Sequence, residues 1–184
     1  MKLGALAMRG LIGGLFIGHG TLKLFGWFGG SGPDATAGMM EKLQFHPPRR
    51  HALMAGAAEA GGGLLLALGA LTPLATASLT SVMTTAIRKV HAANGPWVTK
   101  GGWEYNAVLI AALGALTESG PGKPSVDSTA FPRLHGPAWA VAAVAGGVAA
   151  SYLAERPPLN APPQPATEPT GRFVREEERV SAGA

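Results

Sequence analysis

The chain contains no cysteine, which excludes disulfide bonds, thiolate-ligated metal sites and thiol-based redox relays. Charge is also scarce, because Asp, Glu, Lys and Arg make up 14% of the 184 residues, against about 25% in soluble globular domains. The net charge of +4 is small, and no basic stripe with interleaved aromatic residues indicates a nucleic-acid partner. Long apolar runs take the place of the missing charge.

A membrane-spanning helix needs about 20 mostly apolar residues. Three runs reach that length, and two shorter runs carry Trp or Tyr side chains that suit a membrane interface. The first run is expected to be retained and not cleaved as a signal peptide, because Arg9 interrupts it and no small-residue cleavage site follows. The predicted helices are Leu3–Phe28, Ala52–Leu71, Leu74–Ala93, Trp103–Thr117 and Pro137–Leu153.

These segments predict an all-α membrane protein. Residues 1–130 are expected to form a four-helix transmembrane bundle and residues 131–155 to add a fifth transmembrane helix. Residues 156–184, rich in Pro and charge, predict a disordered tail. The long connection 29–51 includes an amphipathic stretch that suits the membrane interface. Lys and Arg are concentrated on the side of this connection, so the positive-inside rule places the tail in the cytoplasm.

Several ionisable residues lie inside the apolar segments, where a charge costs about 2.5–3.5 kcal/mol on insertion scales and is usually paired or functional. At about 100° per residue, those of the first helix share one face. Estimated depths place four of them near the same membrane face, where they are predicted to form a polar cluster that binds a ligand or lies buried in the bundle. This intramembrane polar cluster comprises His19, Lys23, Glu59 and Glu104.

Arg9 lies at the opposite third of the first helix, and we expect it to form a structural ion pair with Asp127 in the loop on that side. The cluster residues have structural interpretations as well. Lys23 can extend to the interface, and His19 can pack with a backbone partner. Glu59 can form an ion pair with the first helix, and Glu104 can cap its own helix.

Motifs of enzyme chemistry are missing from the sequence. It shows no nucleophile–base pair, no phosphate-binding loop and no metal-ligand spacing. We therefore expect no metal site and no catalysis by this chain alone, although a role as a subunit of an oxidoreductase complex stays open.

The intramembrane residues also carry a family resemblance. The chain resembles the DoxX family of small membrane proteins over about residues 5–130, and the order of the motifs is more specific than any one of them. The motifs are Arg9, Gly13-Gly14-Leu15-Phe16, His19-Gly20, the run Lys23 to Gly30, Glu59 with Gly62-Gly63-Leu64, Leu71-Thr72-Pro73, Met83, Gly102-Trp103-Glu104-Tyr105 and the run Gly120 to Asp127.

The resemblance implies a four-helix bundle in a bacterial plasma membrane and an association with membrane redox systems. Relatives include a subunit of thiosulfate:quinone oxidoreductase, and others are described in complexes with superoxide dismutase and a sulfurtransferase. Because this chain lacks cysteine, a mechanism that needs a membrane thiol does not fit it.

Three functions stay open from the sequence. The first is an accessory subunit of a redox complex that binds a quinone-like amphiphile, with His19 and Glu59 bonding a quinone carbonyl or carrying a proton, and Lys23 stabilising negative charge. The second is a small transporter or lipid-handling protein with a relay through Arg9, Glu59 and Glu104. The third is a structural scaffold whose charges hold helices together. Apart from this quinone, the sequence predicts no cofactor.

Overall fold

The computed structural model describes residues 3–155, and every regular element in that range is helical. This confirms the all-α class; the predicted tail, 156–184, lies outside the described residues. A π-helical segment, Ile87–His91, continues α4, and single turns of 3-10 helix lie at 27–29, 92–94 and 98–100. The helices are α1 (Leu3–Phe25), α2 (Gly32–Lys42), α3 (Pro48–Leu68), α4 (Thr72–Ala86), α5 (Glu104–Ser119), α6 (Val126–Ala130) and α7 (Pro137–Leu153).

Glycine and proline set several helix ends. α1 ends at Phe25, three residues before the predicted end, because Gly26 adopts a left-handed conformation with φ 70°. α3 ends at Leu68, where Gly69 provides a left-handed cap with φ 60°. Pro48 begins α3, four residues before the predicted start at Ala52. Proline suits the first turn of a helix because that turn has no partner for its N–H.

The connection between α1 and α3 is more ordered than the sequence indicated. It forms the 11-residue helix α2, with Pro33 in its first turn and Asp34 beside its N-terminus. Met40 and Phe45 are buried and pack with Ala52 of α3 in a small apolar cluster. The amphipathic stretch therefore packs against the bundle with its apolar side.

Two helices, α1 and α3, are long and apolar enough to cross a membrane, and α7 is a shorter apolar helix. α4 and its π-helical continuation together cover residues 72–91, which corresponds to about 30 Å at 1.5 Å per residue, the thickness of a bilayer core. Because only α1 and α3 among the described helices meet both the length and the composition of a membrane span, the predicted count of four transmembrane helices is not confirmed.

α7 is an integral part of the helix bundle. The sequence had predicted it as a fifth helix added to a four-helix domain. It packs against α4 and α5 through small buried residues at four-residue spacing, Ala143, Gly147 and Ser151. A Cβ on Gly147 would lie 2.5 Å from the Ala77 carbonyl oxygen, so this glycine allows α7 to approach α4 closely. α7 runs parallel to α4, whereas α1 and α3, α3 and α4, and α4 and α5 are antiparallel neighbours.

The closest helix contact joins α1 and α3. A Cβ on Gly13 would lie 2.6 Å from the Gly63 carbonyl oxygen, and one on Gly63 would lie 2.7 Å from the Gly13 carbonyl oxygen. Gly20 faces the backbone of Gly56 and Ala60 in the same way, one heptad along. Small residues at helix interfaces in membranes allow such close backbone packing.

The main apolar core lies between α1, α3, α4 and α5. Its buried side chains come from all four helices, so it holds the bundle together across the α1–α3 contact. They are Ile12, Phe16, Leu66, Ala75, Leu79, Met83, Leu113 and Leu116. We name the two ends of the bundle by α1: the Leu3 end, with residues 69–71 and 120–136, and the Phe25 end, with α2 and residues 92–103.

Replacing Gly20 by Ala is expected to destabilise the bundle by about 1–3 kcal/mol, because the new methyl group overlaps the α3 backbone and forces the helices apart. Gly14→Ala is the matched control, since a Cβ there meets nothing within 4 Å and alanine favours the helix. Thermal unfolding in detergent, followed by Trp fluorescence, should show a lower Tm for Gly20→Ala alone. Equal Tm values for the two variants would contradict the close contact.

Candidate functional site

Lys23 and Glu59 form an ion pair between α1 and α3. Lys23 lies in the last turn of α1 and its side chain is 21% exposed, whereas Glu59 lies in mid-α3 and its side chain is 5% exposed. The glycines of the α1–α3 contact lie next to the pair and let the two side chains meet. A buried carboxylate is tolerated when a cation compensates it, so this pair satisfies the deepest acid of the α1–α3 interface.

His19 does not join this pair. Its side chain is exposed, and among residues 3–155 it forms no hydrogen bond or ion pair. The buried face of α1 is centred on Arg9, Gly13, Phe16 and Gly20, and His19 lies about 80° from Arg9 around the helix. A residue at the edge of a helix face points out of the bundle, so the predicted four-residue cluster is not assembled.

Glu104 has a local partner. Its Oε1 accepts a hydrogen bond of 2.8 Å from the Val98 N–H, and its own N–H donates to the Pro96 carbonyl at 2.9 Å. These bonds close the turn that leads into α5. Glu104 therefore does not cap its own helix, because Val98 belongs to the 3-10 turn before α5, and within the described residues it forms no ion pair with Lys23.

Arg9 lies at the Leu3 end and is 3% exposed. Its Nη1 donates to the Ala67 carbonyl at 3.0 Å, and its Nη2 donates to the Pro124 carbonyl. The Ala67 carbonyl lies in the last turn of α3, where a cation also complements the helix dipole. The guanidinium thus connects α1, the end of α3 and the loop before α6.

The Asp127 carboxylate binds the start of α4 and not Arg9. It accepts hydrogen bonds from the Leu71 N–H at 2.7 Å, the Thr72 N–H at 2.9 Å and the Thr72 hydroxyl at 2.6 Å. This corrects the predicted Arg9–Asp127 ion pair, because the free N–H groups of a helix start take the carboxylate. Arg9 and Asp127 instead contact the chain separately near Gly69. Arg9 donates to the Ala67 carbonyl, and the Asp127 N–H donates to the Gly69 carbonyl.

A second charged group lies at the Phe25 end and was not predicted as a pair. Arg88 and Lys89 of the π-helical segment contact the Glu155 carboxylate at 2.8 and 3.2 Å. The Arg88 guanidinium also lies 3.6 Å from the ring centre of Tyr152. The sequence does show opposite charges at the ends of these two apolar helices. Predicting the ion pair from them would have required knowing that α7 packs parallel to α4.

The sequence analysis also missed a row of buried threonines on α4. Thr72, Thr76, Thr80 and Thr84 occur at every fourth residue and are between 0% and 9% exposed. Thr76 pairs with Thr117 of α5 at 2.8 Å between hydroxyl oxygens. The four-residue spacing of these threonines is present in the sequence. Threonine is a common residue, however, so the spacing alone does not predict a buried row.

Two cavities lie away from the Lys23–Glu59 pair. One of about 210 Å³ lies beside Lys123, Phe131 and His135, and one of about 410 Å³ lies beside Arg9 and Thr129, both at the Leu3 end. Within residues 3–155, no group of three or more His, Asp or Glu side chains is arranged to hold a metal ion.

Asp127→Ala is expected to destabilise the protein by about 2–4 kcal/mol, because it leaves two backbone N–H groups and one hydroxyl without their acceptor. The matched control is Asp34→Ala, which removes an exposed ion pair with Arg49 worth about 0–1 kcal/mol. Urea unfolding in detergent measures both. An Asp127→Ala variant as stable as the control would rule out this cap.

A scan against protein-family models matches residues 4–92 to the DoxX model. No curated protein and no solved structure matches the chain. The match covers α1 to the end of the π-helical segment, so it contains Arg9, Lys23 and Glu59, whereas the resemblance seen in the sequence extended to about residue 130. Through residues 4–92, the chain belongs to the DoxX family of membrane proteins.

Proposed function

We propose that this protein is an accessory, non-catalytic subunit of a membrane-associated redox complex, linked to oxidative stress or to thiosulfate and quinone. The observation that carries the non-catalytic part is the Lys23–Glu59 ion pair. An acid that works as a proton carrier or nucleophile needs an open position, whereas Glu59 is 4% exposed and already compensated. The redox association comes from the family resemblance, as do superoxide dismutase and a sulfurtransferase as candidate soluble partners.

The same end of α1 supports contact with a quinone-like amphiphile. Lys23 remains one-fifth exposed, and its ammonium has three N–H donors of which Glu59 takes one. Directly after it come three exposed rings, Phe25, Trp27 and Phe28. The ring centres of Phe25 and Trp27 are 5.2 Å apart, and those of Trp27 and Phe28 are 6.5 Å apart. A quinone ring can pack on this surface while a carbonyl accepts from Lys23.

A purely structural scaffold is the second candidate, and the charge partners favour it. Arg9, Lys23, Glu59 and Glu104 all contact other parts of the same chain. The relay required for a transporter has less support, because Arg9, Glu59 and Glu104 each have a separate local partner. The bacterial plasma membrane and a cytoplasmic tail remain part of the proposal.

Exchanging the two charges separates scaffold from chemistry. Lys23→Glu and Glu59→Lys alone are each expected to lower stability by about 3–5 kcal/mol, because each leaves like charges together in a buried interface. For a structural pair, the double exchange should recover most of that loss in thermal unfolding. If both single variants fold normally, the pair is not structural and Glu59 is available for chemistry.

Decylubiquinone is a suitable probe for the amphiphile surface. We expect saturable quenching of Trp fluorescence in purified protein, and a Kd that is about 3- to 10-fold weaker in Phe28→Ala, since one ring contact contributes about 0.5–1.5 kcal/mol. Phe28 is 81% exposed, so its loss should not affect folding.

Phe131→Ala, an exposed ring at the Leu3 end, is the control for that titration. Quenching that does not saturate, or the same Kd in both variants, would argue against quinone binding at this surface. The scaffold role would then remain.

A further inference from the structure

Polar side chains follow one another along α4 through the interior of the bundle. At the Leu3 end Thr72 binds Asp127, one turn further Thr76 binds Thr117, and Thr80 and Thr84 follow. At the Phe25 end, the Arg88 Nη1 donates to the Ser151 carbonyl of α7 at 3.3 Å. This row passes through the interface of α4 with α5 and α7.

Two hydroxyls interrupt the row. Those of Thr80 and Thr84 are buried, and among residues 3–155 neither has a hydrogen-bond partner. The Thr80 side chain is 0% exposed and that of Thr84 is 9% exposed. In a bilayer no solvent reaches such groups, and an unsatisfied polar atom is costly there. A buried polar atom without a protein partner indicates a bound water or other small ligand.

The spacing of the two hydroxyls suits water. The Cβ atoms of residues four apart on a helix are about 5–6 Å apart, and side chains that incline toward each other bring two hydroxyls to the roughly 4.5 Å that one water with tetrahedral geometry bridges. Asn106 of α5 lies beside Met83, the residue before Thr84, and its amide Nδ2 donates to the Met83 sulfur at 3.3 Å, a weak acceptor. Two to four polar partners are what a buried water requires.

The packing around Thr80 limits the size of any occupant. A Cβ on Gly147 would lie 2.7 Å from the Thr80 Cβ, so α7 packs closely on Thr80 and favours the smallest ligand. A role in proton transfer is also disfavoured, since Asp127 is held by three donors and Glu155 by two cations. Water is the ligand that fits both the size and the chemistry.

We propose that Thr80 and Thr84 together bind one buried water inside the α4–α5–α7 interface. This water bridges the two hydroxyls, which lie between Thr76 and Arg88 in the polar row. The site depends on α5 and α7, which lie outside the segment that matches the family model.

Valine substitution tests the site because it replaces the hydroxyl by a methyl group of the same shape. Thr80→Val and Thr84→Val are each expected to lower the Tm by about 2–4 °C, since either change displaces the water and strands the other hydroxyl. The double variant should lose no more than the larger single loss, because both lose the same water. Thr76→Val, which removes the hydrogen bonds of the Thr76 hydroxyl to the Thr117 hydroxyl and the Leu113 carbonyl, is the positive control.

Two outcomes would overturn the proposal. A rise in Tm for either single variant means that its hydroxyl was dry and unsatisfied, because removing such a group stabilises a protein. Additive losses in the double variant mean that the two hydroxyls share no ligand. A second measurement does not depend on stability: solid-state NMR of Thr-labelled protein in bilayers should show magnetisation transfer from water to Thr80 and Thr84. Its absence at both residues would also refute the site.

Discussion

The close contact between α1 and α3 is the constraint on which the rest of the structure depends. Gly13 and Gly20 on one helix face Gly63 and Gly56 on the other, one heptad apart on each. Lipid tails are as apolar as leucine, so burial of apolar surface does little to join helices in a membrane, and close backbone packing takes over that role. The contact also fixes the register of α1 against α3, so it determines which polar groups meet.

That register places one cation of α1 at each end of the contact. Arg9 reaches the last turn of α3 and the loop before α6, while Lys23 reaches Glu59. Each charge is compensated in a different way, Arg9 by carbonyl oxygens and a helix end, and Lys23 by a carboxylate. Because both side chains project from the face that carries the glycines, a change in helix separation would affect both sites at once.

The sequence was sufficient for the features that depend on composition and on a single helix. Apolar length located the five long helices, and the shared face of Arg9 and Lys23 followed from the helical repeat. The sequence was insufficient where several groups compete for one hydrogen-bond partner. It was also insufficient for a residue at the edge of a helix face, where a small angle decides whether the side chain is exposed. His19 fell on the outer side, and Asp127 bound the start of α4. The packing of α7 on α4 was not predicted either, because it uses small residues, Ala143, Gly147 and Ser151, and not a stripe of leucines.

α4 connects the two parts of the chain. On one side it packs against α3, within the segment that matches the family model, and on the other side against α5 and α7, which lie beyond it. Glycines and an ion pair hold α1 to α3. The contacts of α4 with α5 and α7 add buried hydroxyl groups to a close glycine contact at Gly147 and the Arg88–Glu155 ion pair. The part of the chain beyond residue 92 is therefore joined to the family segment through α4, by polar contacts as well as by close packing.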